Sequence, residues 1–108
     1  MATSKEYLEF VLEQLSGIEG VRHLKMMGEY VLYYRDKVFG GLYDNRFLVK
    51  NIPAAVELLP EPVYEIPYEG AKPMLLVEDI EDRDFLERLL TAMYAGLPAP
   101  KPKKQKNN

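Results

Sequence analysis

The stretch from Lys25 to Lys50 constrains the fold most, because it holds three strand-like segments separated by two very short connections. Each segment is rich in the β-branched and aromatic residues that favour strands. Polar residues typical of tight hairpin turns separate the segments. Strands joined this closely pair antiparallel, so the stretch predicts a three-stranded meander. In chain order the segments and turns are Tyr30–Tyr34, Arg35-Asp36, Val38–Tyr43, Asp44-Asn45 and Arg46–Lys50.

Two glycines lie side by side within the middle segment, Gly40-Gly41. Glycine weakens the interior of a strand, and it is found where a strand bulges or where another backbone approaches closely. The pair therefore predicts a bulge or a close backbone contact at the centre of the meander.

Helices are predicted on both sides of the meander. In Ser4–Leu15 the apolar residues recur with helical spacing, and Thr3 and Glu6 have the spacing of a capping box, with Ser4 as the alternative cap. A last helix begins near Asp79 or Asp82 and ends near Tyr94. The weaker elements are an edge strand at Val21–Met26, a short helix at Pro53–Leu59, an irregular or weakly extended segment at Val63–Tyr68 and a short strand at Met74–Val77.

Together these elements predict an α+β fold. It has an N-terminal helix, an antiparallel meander sheet of about four to five strands, and a C-terminal helix packed on the sheet. The length of 108 residues suits one domain, expected over residues 1–98. Residues 99–108 are rich in proline and lysine and are expected to be a disordered tail.

Charge is unevenly distributed along the chain. The net charge is −3, but the tail carries four lysines and no acidic residue: Lys101, Lys103, Lys104 and Lys106. The rest of the chain is therefore more acidic than the net charge indicates. This argues against a broad nucleic-acid-binding face outside the tail, because phosphate contacts need clustered Lys and Arg.

The sequence offers little for catalysis, metals or cofactors. The absence of cysteine excludes zinc–thiolate sites and cysteine nucleophiles. His23 is the only histidine, and Glu78–Asp82 is best explained as the solvated start of a helix. We therefore expect no enzyme activity, cofactor or metal. No signal peptide or membrane-spanning run is evident, so a cytoplasmic location is expected.

The central stretch resembles the N-terminal domain of the TfoX/Sxy family. The resemblance rests on the order and spacing of several short segments and extends over roughly Leu8–Pro98. It implies an outline like that of secretion chaperones, a bacterial cytoplasmic setting, and a stand-alone form of a domain that in full-length members precedes a second domain. The matching segments are Met26–Tyr30, Leu32–Tyr34, Lys37–Gly40, Tyr43–Arg46, Val49-Lys50, Tyr68–Lys72 and Leu97-Pro98.

The matched positions also supply a candidate interaction surface. If the loops around Gly28 and Gly70 lie together, they frame a protein-binding surface. The structural alternative is that both glycines serve backbone geometry and that the lysines are ordinary exposed cations. The candidate residues are Met27, Gly28, Tyr30, Lys50, Tyr68, Gly70, Ala71 and Lys72.

Three functions remain as hypotheses. The leading one is a non-enzymatic protein-interaction module in competence-related or transcriptional regulation, with a homodimer formed by edge or face pairing. The alternative is a nucleic-acid-binding accessory protein that uses the lysine tail. A small-ligand site or an enzyme is the third, and it requires a deep pocket lined by Tyr and Lys near Gly70.

Overall fold

The computed structural model describes residues 2–99, which form an α+β fold with an N-terminal helix, an antiparallel sheet and a C-terminal helix. Most of the tail predicted over residues 99–108 lies outside the described residues. In chain order the elements are α1 (Lys5–Leu15), β1 (Val21–Met26), β2 (Glu29–Tyr34), β3 (Lys37–Leu42), β4 (Phe47–Val49), α2 (Pro53–Leu58), β5 (Tyr64–Glu65), β6 (Met74–Leu76) and α3 (Arg83–Tyr94).

Six strands form the sheet, in the order β1-β2-β3-β4-β6-β5, and every neighbouring pair is antiparallel. The predicted meander and the predicted edge strand β1 are confirmed. The strand count is higher than predicted because Tyr64 and Glu65 pair with Leu75 and Met74. This two-residue pairing depends on β6, which is distant in sequence, and Tyr64–Glu65 was expected to be irregular or weakly extended.

Three two-residue turns connect the first four strands. In each turn both central residues have positive φ, as type I′ turns require, and this twist matches that of the flanking strands. The angles are 53° and 86° at Met27 and Gly28, 49° and 72° at Arg35 and Asp36, and 53° and 57° at Asp44 and Asn45. The predicted turns are therefore found, and Met27-Gly28 adds a third.

The two glycines of β3 lie where the prediction placed a bulge or a close approach. The register between β2 and β3 shifts at Leu32 and Tyr33, beside the pairing of Leu32 with Gly40. A Cβ on Gly40 would collide with the carbonyl oxygen of Leu48 and would lie 2.8 Å from Val49 Cα. A Cβ on Gly41 would lie 2.5 Å from Tyr30 O. Only glycine lets the neighbouring strands approach β3 this closely.

All three helices contribute to one core on one face of the sheet. Alternation along β2 directs every second side chain to this face. α1 supplies three buried residues and α3 supplies five. The core residues are Leu8, Val11, Leu15, Tyr30, Leu32, Tyr34, Phe39, Leu42, Phe47, Val49, Ala55, Leu59, Leu75, Val77, Phe85, Leu86, Leu89, Leu90, Met93 and Leu97.

The start of α1 differs from the capping box based on Thr3. Ser4 is the N-cap, and its Oγ accepts a hydrogen bond from the Tyr7 N–H at 3.1 Å. Thr3 is buried instead, and its Oγ1 donates to the Glu29 carboxylate at 2.6 Å. Glu29 also accepts from the backbone N–H of Asp44 at 3.2 Å. It thereby joins the N-terminal segment to the β3–β4 turn.

The C-terminal end of α3 is held by a residue from β3. Lys37 Nζ donates to the Tyr94 carbonyl at 3.1 Å and lies 4.2 Å from the centroid of the Tyr94 ring. The last turn of α3 has no basic residue of its own. Because a cation is favourable at a helix C-terminus, Lys37 supplies from the sheet the positive charge that the last turn of α3 lacks.

None of the helices within residues 2–99 has the length and hydrophobicity to cross a bilayer.

Candidate functional site

A half-open cavity of about 590 Å³ lies between the sheet, the β5–β6 loop (residues 66–73) and the chain that follows α3. Its residues come from four separate stretches of sequence, which only the folded chain brings together. They are Val38, Gly40, Tyr43, Lys50, Asn51, Ile52, Pro67, Tyr68, Ala71, Lys72, Pro73, Met74, Gly96 and Pro98.

The sheet contributes side chains from the face that points away from the helices. Tyr43, Lys50 and Met74 each follow or precede a core residue of β3, β4 or β6, so alternation directs them to the opposite face. The Tyr43 ring lies over Gly41, since its Cε2 is 2.7 Å from where a glycine Cβ would be. The missing side chain at Gly41 therefore makes room for the aromatic ring beside the cavity.

Arg46 fixes the β5–β6 loop against the β3–β4 hairpin. Its guanidinium donates to Glu65 Oε1 at 2.7 Å and to the backbone carbonyls of Ile66 and Pro67, each at 3.2 Å. Its Nε also donates to Tyr43 O at 3.0 Å. The Arg46 and Glu65 side chains are only 25% and 33% exposed. A planar fork of donors suits this set of acceptors, and lysine does not offer one.

The β5–β6 loop turns sharply at Gly70. The Ala71 N–H donates to Tyr68 O at 3.0 Å, and Gly70 occupies the third position of this turn with φ of 87°. Type II turns require positive φ at that position, which explains the glycine. The turn places Tyr68 beside Tyr43, with 6.0 Å between ring centroids and 54° between ring planes. Gly70 therefore serves backbone geometry, as the structural alternative predicted.

The cavity carries positive charge in a chain that has more acidic than basic residues. Lys50 and Lys72 line it, and none of the lining residues found within residues 2–99 is acidic. The ion pairs in that part of the chain join Arg22 to Asp36, Arg46 to Glu65 and Arg83 to Glu13. Neither cavity lysine therefore has a carboxylate partner among the described residues.

A second exposed feature is the hairpin of β1. Leu24 and Met26 are 50% and 53% exposed, and Met27 at the tip is 99% exposed. Arg22, His23 and Lys25 give β1 three basic residues and no acidic one. β1 also ends the strand order, so one of its edges lies at the margin of the sheet. The hairpin is therefore an edge that is both apolar and basic.

A protein from Spirochaeta aurantia, described as "uncharacterized 12.7 kDa protein in trpE 5′ region", is 42% identical to this chain over 107 residues. The match covers 98% of this chain and 93% of the relative. The chain belongs to the family of that protein. No protein-family model matches the chain, and no solved structure matches it.

The structure separates the eight residues of the candidate surface into three groups. Four of them line the cavity, and Gly70 forms the adjoining turn. Met27 and Gly28 form the β1–β2 turn, where Gly28 O accepts from the Thr3 N–H at 3.1 Å. Tyr30 is a core residue, only 8% exposed, so it lies beneath the surface. The cavity group is Lys50, Tyr68, Ala71 and Lys72.

The matched segments did not point to the other side of the cavity. Ile52 and Gly96 lie outside the matched segments and reach it because α2 and α3 dock beside the sheet. Pro98 belongs to a matched segment, but no local pattern placed it beside the cavity. Arg46 directly follows the Asp44-Asn45 turn, and the sequence carried no sign that its side chain would hold a distant loop. Among residues 2–99 no group of three His, Cys, Asp or Glu side chains is placed to hold a metal ion.

Tyr43 and Tyr7 should make the stability depend on alkaline pH. Burial raises the pKa of both phenols, and for Tyr43 the nearby Tyr68 and Glu29 add to the increase. The unfolded chain loses these protons at about pH 10, whereas the folded chain retains them to higher pH. The free energy of unfolding should therefore fall as pH rises above about 10.

Denaturant titrations across this pH range, compared with the absorbance of tyrosinate, measure this effect. The variants Tyr7→Phe and Tyr43→Phe should each flatten the fall, and the double variant should flatten it most. A fall of equal steepness in the wild type and the double variant would contradict the assignment.

Proposed function

We propose that the chain is a non-enzymatic protein-interaction module that binds an extended, acidic segment of a partner protein along the edge of β1. The observation that carries this proposal is a combination found on one edge strand. β1 has exposed apolar side chains, basic side chains and backbone groups that pair with no other strand among residues 2–99. The segment would add a strand to the sheet, which is a common way of recognising peptides.

The backbone geometry of β1 supports strand addition. Arg35 N–H donates to Gly20 O, so hydrogen-bonded and non-hydrogen-bonded pairs alternate from that point along the hairpin. Val21, His23 and Lys25 fall in the non-hydrogen-bonded pairs. Their N–H and C=O groups consequently point away from β2, toward the margin of the sheet. A partner strand would find three donors and three acceptors in register.

The side chains of β1 favour an acidic partner over a second copy of the same strand. If two copies of β1 paired antiparallel about Leu24, His23 of each would lie opposite Lys25 of the other, and three basic side chains from each copy would meet with no acidic residue among them. Like charges directly opposite each other destabilise a sheet. An acidic strand would instead pair with these cations, and its apolar residues would cover Leu24 and Met26.

The resemblance to the TfoX/Sxy N-terminal domain supports a role in competence-related or transcriptional regulation. That resemblance includes the β1–β2 turn, since Met26-Met27-Gly28-Glu29-Tyr30 is among the matching segments. We propose that the Met27-Gly28 turn and β1 form the partner-binding part of that domain.

The proposal is tested by capturing partners from a native cell extract with tagged protein, with and without nuclease. His23→Pro removes an outward-facing donor while leaving the bonds to β2 intact, because proline is tolerated on an edge strand. Lys25→Glu reverses a charge on β1, and Lys5→Glu on exposed α1 is its matched control. A partner protein should still be captured after nuclease treatment. It should no longer be captured by the two β1 variants, and Lys5→Glu should capture it as the wild type does.

Two outcomes would contradict the proposal. Capture that is lost on nuclease treatment would indicate nucleic-acid binding instead, with the tail lysines as its source. Light scattering that shows a dimer of the chain alone, converted to a monomer by His23→Pro, would identify a second copy as the occupant of the β1 edge.

A further inference from the structure

We propose that the cavity beside the β5–β6 loop is a binding site for a small amphipathic anion. Such a molecule has an apolar body, aromatic or aliphatic, and one carboxylate, phosphate or sulfonate group. This site is separate from the β1 edge, and the argument for it uses none of the residues of that edge.

The size and lining of the cavity suit a small organic molecule. Ligand pockets in proteins commonly measure about 300–1,000 Å³ and are lined mainly by apolar residues with a few polar groups. This cavity, at about 590 Å³, lies within that range. Val38, Pro67 and Met74 give it apolar walls, and Pro67 is buried although it belongs to a loop.

The charge of the lining selects the sign of the ligand. Lys50 is half-buried and Lys72 is exposed, so Lys50 is the more enclosed of the two residues. Since no described acidic residue lines the cavity, the two charges are available to an anionic group. Charge-assisted hydrogen bonds from ammonium groups to carboxylate or phosphate are the stronger kind, and a partly enclosed site strengthens them further.

The two tyrosines indicate where the apolar body would lie. Tyr68 is 63% exposed and is tilted against Tyr43 at the rim of the cavity. An exposed aromatic side chain beside a cavity offers a face that a flat or aliphatic group can cover. Gly40 lines the same cavity, so part of its wall is the backbone of β3.

Anilinonaphthalene sulfonate is a suitable probe, because it joins an apolar ring system to one anionic group. Phenylnaphthylamine has the same rings without the charge and is its neutral counterpart. We expect saturable binding of the sulfonate at one site, followed by fluorescence. Lys50→Met and Lys72→Met keep the apolar stems and remove the charges, and each should weaken sulfonate binding about tenfold. Binding of the neutral probe should change less than twofold.

The control variant is Lys5→Met, which removes an exposed lysine of α1 and should leave both probes unaffected. Thermal unfolding of each variant verifies that it is folded. Phenyl phosphate should displace the sulfonate and phenol should not. Equal sulfonate binding by the wild type and both cavity variants, equal losses for the charged and neutral probes, or no saturable binding would each overturn the proposal. Because the variants differ from those of the β1 edge, either proposal can fail without the other.

Discussion

Gly40→Ala is expected to lower the free energy of unfolding by about 3 kcal/mol. The added methyl group would collide with the Leu48 carbonyl oxygen and lie 2.8 Å from Val49 Cα. Both are backbone atoms of β4, so no side chain can rotate away to relieve the contact. The sheet must therefore move β4 away from β3 or distort the bulge, and either change disturbs the core residue Val49.

The measurement is chemical denaturation of the variant beside Gly17→Ala. A Cβ at Gly17 would have no atom within 4 Å, so this control adds the same methyl group without a collision. The control should change the stability by less than about 0.5 kcal/mol. If both variants unfold at the same denaturant concentration, the inference that β4 approaches β3 too closely for a side chain at Gly40 is wrong.

Arg46→Met should produce the second large effect, a loss of about 2–3 kcal/mol. The change leaves the partly buried Glu65 carboxylate and the carbonyls of Ile66 and Pro67 without their donor. Methionine fills much of the same space, so the loss reports on hydrogen bonds and charge more than on packing. Arg46→Lys restores the charge without the planar fork and should lie between the wild type and Arg46→Met.

Hydrogen exchange locates the effect. Amides of residues 66–73 should exchange faster in Arg46→Met than in the wild type, beyond the change expected from global stability. The matched control is Arg22→Met, which removes an ion pair whose side chains are 62% and 76% exposed and should cost less than about 0.5 kcal/mol. Equal losses for the two variants would show that Arg46 does not fix the loop.

The part of the fold that depends on neighbours in sequence was predictable. Turn residues at Arg35-Asp36 and Asp44-Asn45 set the pairing of β2, β3 and β4, because a two-residue turn fixes the register of the strand residues next to it. Glycines within a strand likewise indicated a bulge or a close approach at β3. The spacing of apolar residues located α1 and α3, because helical periodicity also depends only on residues that are close in sequence.

Elements that depend on distant partners were not predictable from local pattern. Strand β5 forms because Tyr64 and Glu65 pair with β6. Thr3 does not cap α1 because its hydroxyl donates to Glu29, which is distant in sequence but adjacent in the fold. The cavity was expected only as an alternative that required tyrosine and lysine near Gly70. The remaining wall of the cavity is formed by Gly96 and Pro98, which follow α3. A local sequence pattern does not indicate that this segment packs beside the sheet.

Lys37 gives the cavity a thermodynamic connection to the C-terminal helix. The carbonyl that it binds belongs to Tyr94, two residues before Gly96 at the rim. A ligand that binds only when this rim is in place also stabilises the hydrogen bond from Lys37 to Tyr94 O. The converse holds as well, because coupling between two sites is reciprocal. Ligand binding should therefore slow exchange of the last amides of α3, and loss of the Lys37 ammonium should weaken a ligand that it never touches.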